Sequence, residues 1–295
     1  MKKIGLAIAL GKEANSHTRT FIEAINHSLK HFPEFKQNII KIANDEKSIA
    51  GGEKAAIELI KWGADIVVGH FSSFAALAAL PLYAKNAIPL ILPASTACEL
   101  NVARQKNNAM MFKYQKNNAA LMAHCIEECV SNNNGGAIYA IVQDNEYGNR
   151  LIEYIPLLRG ITIVRSVPRH IELTDNYIII GHSDFAAHIV KILTQVRVYR
   201  VILIDDSDCH EVLQSFILRP HRISRVRSVS HITRDSRNRP YWNETLLALA
   251  LASSNDVHNC YGLNERNNIN TYLGLQDFDS ENCYGDVILM TEDVD

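Results

Sequence analysis

Residues 64–96 read ADIVVGHFSSFAALAALPLYAKNAIPLILPAST. The run Ala64–Gly69 is short, rich in β-branched residues and bounded by turn residues, which predicts a buried strand. The alanine-rich Ser72–Lys85 predicts a helix, and Ile88–Leu92, closed by Pro93, predicts a second strand. Strand, helix and strand in succession build a parallel sheet, because a parallel neighbour is reached only by a crossover. A polar group follows each strand directly: His70-Phe71-Ser72-Ser73 and then Pro93-Ala94-Ser95-Thr96.

The same alternation extends in both directions. Upstream, Lys3–Leu10 is a strand pattern, and Thr18–Leu29 carries Phe21, Ile22, Ala24, Ile25 and Leu29 at helical spacing. Asn38–Ile42 is a short strand, and Gly51-Gly52 introduces a helix over Glu53–Trp62 that Gly63 closes. Downstream, an Asn-rich junction at Asn107 and Asn108 precedes helix Asn118–Val130, strand Ala137–Val142, helix Tyr147–Leu158 and strand Ile161–Val167. Strand Tyr177–Gly181, helix Phe185–Leu193 and strand Arg200–Ile204 complete the run. Two such runs predict an α/β protein of two lobes, each a doubly wound parallel sheet covered on both faces.

Ligands of such sheets sit beyond the carboxyl ends of the strands. The residues in question are the two groups above, Asp144–Gly148, His182-Ser183-Asp184 and Asp205-Asp206-Ser207-Asp208. The competing reading is helix capping, for which Ser72 or Ser73, Ser95 and Asp184 are suitable residue types.

The 295 residues are 47% hydrophobic and 21% charged, which fits two globular domains and excludes disorder and fibres. With 30 Lys+Arg against 32 Asp+Glu, no global field draws the chain to nucleic acid or an anionic membrane. The longest apolar region, Phe71 to Ala97, is interrupted by Lys85, Asn86 and prolines, so membrane insertion is not expected. Met1–Leu10 imitates a signal peptide but runs into Gly11-Lys12-Glu13 rather than a cleavage site, and reads as the first strand.

The cysteines Cys98, Cys125, Cys129, Cys209, Cys260 and Cys283 form no CxxC pair and no zinc spacing. Cys125 and Cys129 read as buried thiols, and free cysteines favour a reducing compartment. No G-x-G-x-x-G, P-loop or G-x-S-x-G occurs, so neither a cofactor nor a catalytic residue is expected. His182-Ser183-Asp184 is too compact to form a triad within itself. A metal at Asp205, Asp206, Asp208, Cys209 and His210 competes with capping and amine binding by the same acids. Arg219, Arg222, Arg225, Arg227, Arg234, Arg237 and Arg239, with His221 and His231, read as a solvated surface strand and its loops. Without interleaved aromatics this stretch gives no expectation of nucleic-acid binding, and it is the face on which to look for a protein partner.

The run Asp65–Ser73, with Pro81-Leu82-Tyr83, Ile88-Pro89, Pro93-Ala94-Ser95-Thr96 and Glu99-Leu100, resembles the ligand-loop region of the leucine/isoleucine/valine-binding proteins. Ala140–Gly148 is similar to their second-lobe strand with its Asp and Tyr-Gly pair, Tyr241–Ala252 to a late tyrosine-headed helix, and Leu273–Phe278 and Asp286–Met290 to the final strands. The resemblance implies a type I periplasmic binding fold, two lobes joined by three crossing segments that close over an amino acid, without catalytic chemistry. It implies lobes of residues 1–113 plus 237–275 and 114–236 plus 276–295. Carried over residue by residue, Ser73 binds the ligand carboxylate, Ala94 offers a backbone contact and Thr96 holds the ligand, with Ser95 in the same loop. Tyr147 covers the ligand from the second lobe, Asp206 meets its ammonium, and Ser183 or Asp184 stands where a tyrosine is common.

The departures are Asn15-Ser16-His17 in place of a Gly-rich opening, Ser72 in place of a half-cystine, and no room between Val167 and Tyr177 for a helix. The second lobe is therefore expected to be trimmed, and Asp184 beside Asp206 implies a cationic or amine-rich ligand. The implied partners are an amino acid or related amine or amide, together with an ABC transporter permease or, for an amide-sensor-like cytoplasmic regulator, a protein partner. The expected compartment is cytoplasmic if Met1 is the native start and periplasmic if a leader has been removed. A vestigial binding fold used as an interaction module is a third reading.

Overall fold

Five of the six residues of Lys3–Ile8 (β1) are buried in succession, which a strand tolerates only at the centre of a sheet covered on both faces. Leu6 and Ala7 show the consequence, facing two different apolar clusters. The computed structural model describes residues 1–155, 160–230, 241–259, 266–280, 283–285 and 287–294. After β1 come α1 (Ser16–His31), α2 (Pro33–Lys36), β2 (Ile39–Asn44), α3 (Ile49–Trp62), β3 (Ile66–Gly69), α4 (Ser73–Lys85), β4 (Leu90–Leu92), α5 (Glu99–Asn107) and β5 (Met111–Lys113). The chain continues with α6 (Asn118–Ser131), β6 (Ile138–Val142), α7 (Glu146–Ile152), β7 (Ile161–Val164), β8 (Asn176–Ile180), α8 (Ser183–Leu193), β9 (Arg200–Ile204), α9 (His210–Leu213) and β10 (Arg222–Ser230). It ends with α10 (Trp242–Ser253), β11 (Asn267–Thr271), β12 (Gly274–Phe278) and β13 (Val287–Val294).

Two units emerge, Met1–Lys116 with Val229–Ile288 and Asn117–Ser228 with Leu289–Asp295, so the backbone passes between them three times. In the first unit the sheet order is β2-β1-β3-β4-β5, with every pairing parallel. One face packs Phe21 and Ile25 of α1, Phe35 of α2 and Leu247, Ala248, Leu249, Leu251 and Ala252 of α10. The other packs Ala55, Ala56 and Leu59 of α3 with Ala76, Ala79, Leu80 and Tyr83 of α4. Helix ends follow local chemistry: Asn15 caps α1 through the Thr18 N–H at 3.1 Å, Ser48 caps α3 through the Gly51 N–H at 3.0 Å, and Gly63 closes α3 at φ 79°.

The second sheet runs β13-β10-β9-β8-β6-β7, and the pairings among β6 to β10 are parallel. α6 and α7 supply one face, with Leu121, Met122, Cys125 and Leu151, while α8 and α9 supply the other, with Ile189, Val190, Leu193 and Val212. Residues 165–175, between β7 and β8, contain no helix. Val167 and Ile171 of this link pack on the apolar face instead. That trimmed crossover and the two doubly wound sheets agree with the sequence expectation.

Other expectations are corrected. The Asn-rich junction at Asn107 and Asn108 is the end of α5, where Asn108 takes a left-handed φ of 47°, and the first sheet continues into β5. A three-residue strand is too short for periodicity to reveal. The helix expected over Tyr147–Leu158 ends at Ile152, and its last residues lie outside the described residues. The unit boundaries fall at 116/117, 228/229 and 288/289 rather than 113/114, 236/237 and 275/276. The last difference has a packing reason: Phe278 and Tyr284 join Phe112 and Tyr114 in the first unit's core, with ring centroids 5.0–5.7 Å apart. β11 and β12 form a separate antiparallel pair.

Gly52 on α3 abuts α4 so closely that a Cβ there would lie 2.4 Å from the Ala75 carbonyl oxygen. Gly52→Ala is expected to cost about 1–3 kcal/mol through overpacking, measured as a lower melting temperature by calorimetry.

Candidate functional site

In the first unit, three strand ends are tied together by buried polar side chains. Asp45 follows β2, His70 follows β3, and Pro93–Thr96 follow β4. The Asp45 carboxylate Oδ2 lies 2.9 Å from His70 Nδ1, and His70 Nε2 lies 3.2 Å from the Tyr83 hydroxyl, all three side chains being buried. Asp45 Oδ1 also accepts the Lys47 N–H at 3.1 Å. Burial, with the Asp45 charge beside it, holds the Tyr83 hydroxyl far above its ordinary pKa, so it stays neutral. Ser95 Oγ donates to the His70 carbonyl at 2.8 Å, and Ser73 Oγ accepts the Ala97 N–H at 3.3 Å. Ser73, Ala94, Ser95 and Thr96 are thus gathered around the first turn of α4, with Ser73 half-buried and the other three buried. The capping expectation is corrected here: Ser72 takes the N-cap position without a side-chain cap, donating at 3.3 Å to the Lys47 carbonyl, and Ser95 caps nothing.

In the second unit the corresponding edge is acidic and aromatic. Asn145 caps α7 through the Gly148 N–H at 2.8 Å, which places Tyr147 in the first turn. The Tyr147 hydroxyl donates to Asp205 Oδ2 at 2.7 Å, and its ring stacks on His182 with centroids 4.7 Å apart at 18°. His182 Nδ1 lies 2.7 Å from Asp206 Oδ2, while the His182 N–H donates to Gln143 Oε1 at 2.8 Å. Asp205 takes a φ of 53°, a left-handed conformation that Asp tolerates better than most residues, and the two consecutive carboxylates reach different partners. Ser183 and Asp184 lie in the first turn of α8, Ser183 half-buried and Asp184 exposed; the N-cap is His182, not Asp184.

Asp208 is buried between Arg225, which its Oδ1 meets, and Arg227, whose Nε lies 2.9 Å from Oδ2. The reading of the arginine run as a solvated strand is therefore corrected for Arg225 and Arg227, which β10 turns inward because a buried carboxylate neutralises them. Arg222 pairs with Asp293, and Arg219 donates to the Val294 carbonyl at 2.9 Å. His231, Arg234, Arg237 and Arg239 lie outside the described residues. Asp205, Asp206 and Asp208 are thus engaged by Tyr147, His182 and two arginines, and among the described residues no group of three or more His, Cys, Asp or Glu is placed to hold a metal ion.

Sequence reasoning left the rings of His70 and His182, and the roles of Asp45 and Tyr83, unassigned. The available signal was position, since both histidines stand directly behind buried strands. No helix among the described residues is long and apolar enough to cross a membrane.

No protein-family model and no curated protein matches the chain by sequence. Solved structures match it in fold. The leucine binding protein LivK of Thermotoga maritima superposes with a TM-score of 0.75 at 13% identity, covering 100% of this chain and 98% of that one. An ABC transporter substrate-binding protein of Desulfitobacterium hafniense in complex with Leu gives 0.69 at 15% identity, covering 100% and 97%. A solute binding protein of an ABC transporter from Rhodopseudomonas palustris, in complex with 3,4-dihydroxybenzoic acid, gives 0.72 at 14% identity, covering 100% and 93%. The chain has the type I periplasmic binding fold.

Asp208→Ala removes one side of a buried ion pair, and the folded state is expected to lose about 3–5 kcal/mol, read from urea denaturation followed by circular dichroism.

Proposed function

We propose that the protein is a non-catalytic binding protein for an amino-acid-like small molecule, acting as the substrate-binding component of an ABC-type transport system. The observation that supports this reading is the chemical contrast between the two strand-end clusters. Ser73, Ala94, Ser95 and Thr96 surround the N-terminal turn of α4, where hydroxyls and backbone N–H groups suit a carboxylate. Tyr147, Asp205 and Asp206, with Asp184 exposed nearby on α8, suit an ammonium. A ligand bound more tightly by the closed state stabilises that state through its differential affinity. The excess of carboxylates on the second set favours a cationic or amine-rich ligand. Solved structures of the same fold in complex with leucine and with 3,4-dihydroxybenzoic acid support small-molecule binding.

A second reading is a cytoplasmic ligand sensor of the same fold, acting through a protein partner. It draws on the buried thiols of Cys125 and Cys129, the latter pushed up to about 11 by burial.

The test is a thermal-shift screen of ligand-free protein against amino acids, polyamines and small amides, in which a ligand at 100 times its Kd adds about 2.7 kcal/mol. Lysine or arginine is expected to outrank leucine, and Asp206→Ala is expected to weaken the best amine at least about tenfold, or about 1.4 kcal/mol. Leucine binding best would remove the cationic ligand. No shift with any compound would move the reading to an interaction module.

A further inference from the structure

The links that enter β9 and β10 meet at one end of the second sheet. These strands are parallel neighbours with Arg200 beside Arg222, so residues 194–199 and 214–221 both lie at the amino ends of the strands, a strand's length from Asp205 and Asp206. Thr194, the C-cap of α8, staples the two links: its Oγ1 accepts the Ile217 N–H at 3.0 Å and its carbonyl accepts the Leu218 N–H at 2.9 Å. Arg197 Nε donates to the Arg219 carbonyl at 3.4 Å. Apolar side chains are left outside this staple. Ile217 is 59% exposed and Leu218 45%, with Val196 exposed on the neighbouring link. Lys191, Arg197 and Arg219 are exposed on the same elements, and among the described residues none of the three is paired with a carboxylate. Residues 185–204 and 212–228 contain no Asp or Glu, and Asp293 of β13 is engaged by Arg222 and Ser224.

We propose that this face is a peripheral membrane contact, in which Ile217, Leu218 and Val196 enter the headgroup boundary of an anionic bilayer while Lys191, Arg197 and Arg219 meet lipid phosphates. Exposed apolar side chains that stand together mark an interaction site, and apolar area combined with cations is what interfacial binding requires. The whole chain is near neutral, so the attraction is local: it acts within a Debye length of these three cations. Charge complementarity alone would also suit an acidic protein, but protein interfaces concentrate Tyr, Trp, Phe and Met and are depleted of Lys. The exposed apolar residues here are aliphatic, and a Lys stands beside them. The Thr194 staple holds both links in place before any contact is made, so little order has to be gained on binding. Asp205 and Asp206, at the other end of the strands, stay clear of the lipid.

The experiment sediments the full, untagged chain with vesicles of phosphatidylcholine alone or of equal parts phosphatidylcholine and phosphatidylglycerol. Binding is expected only to the anionic vesicles, and high salt is expected to release it. Lys191→Gln and Arg197→Gln are each expected to weaken binding about fivefold, the effect of one cation near an anionic surface. Ile217→Ser combined with Leu218→Ser is expected to weaken it at least about tenfold, since two aliphatic side chains no longer leave water. All four positions are exposed, so the variants keep the fold, which circular dichroism checks. Lys61→Gln, an exposed cation of the first unit, is the control and leaves binding unchanged. No binding to anionic vesicles, equal binding to neutral ones, full binding by the double serine variant, or a loss in Lys61→Gln as large as in Arg197→Gln would each overturn the proposal. Binding to polyglutamate that Arg197→Gln weakens, without binding to anionic vesicles, would replace the membrane with an acidic protein partner. Vesicle binding needs no small-molecule ligand, so its outcome is separate from that of the thermal-shift screen.

Discussion

A parallel strand ends with backbone groups that no neighbouring strand can satisfy, and side chains from the following loops must close that edge. The structure meets this constraint in both units, and the chemistry of each edge follows from how it does so. In the first unit the closure is a buried chain of Asp45, His70 and Tyr83, with Ser95 bonded to the His70 carbonyl. In the second, Gln143 receives the His182 N–H, and Ser207 receives the Ile204 N–H at 2.8 Å while donating to the Ile179 carbonyl at 2.9 Å.

Burying charge is the second constraint. Asp208 with Arg225 and Arg227, and Arg200 with Ser224 and Asp293, concentrate ionic groups around β9 and β10. A buried charge is tolerated only when paired and hydrogen-bonded, since desolvation otherwise exceeds the Coulombic gain. Arg200 Nε donates to Ser224 Oγ at 2.7 Å, and Ser224 donates to Asp293 at 2.6 Å, so β13 is joined to β10 and β9 through side chains as well as by its place in the sheet. The same hydrogen bonds from Ser224 and Arg222 hold the Asp293 carboxyl below its ordinary pKa against the opposing effect of burial.

How much of this was legible depends on the range over which each feature is encoded. β1, α3, β3 and α4 each carry their own periodicity and punctuation, and they were readable within windows of a dozen residues. β5, with three residues, and the β11–β12 pair, whose burial is confined to a few positions, carry no such signal. The inward turn of Arg225 depends on Asp208, seventeen residues earlier in the chain, so a local reading sees only a run of positive charge. The Tyr147–Asp205 and His182–Asp206 contacts span 58 and 24 residues. Tyr147 and Asp206 were named in the sequence through resemblance to a family, whereas His182, with no counterpart in that resemblance, was reached only as one of a polar cluster behind a strand.

The helix-free link between β7 and β8 bears on how the second unit assembles. Parallel strands are joined by a crossover connection that is usually an α-helix. Here eleven residues, 165–175, carry the chain from β7 at the sheet's edge to β8, which lies on the other side of β6, and only Val167 and Ile171 need to find the apolar face. The entropy of closing a loop rises only slowly with its length, so this link costs little to close and needs no helix nucleus. The missing helix thus leaves the β7-to-β8 crossover with no helix to nucleate and dock, while the path from β6 to β8 still contains α7.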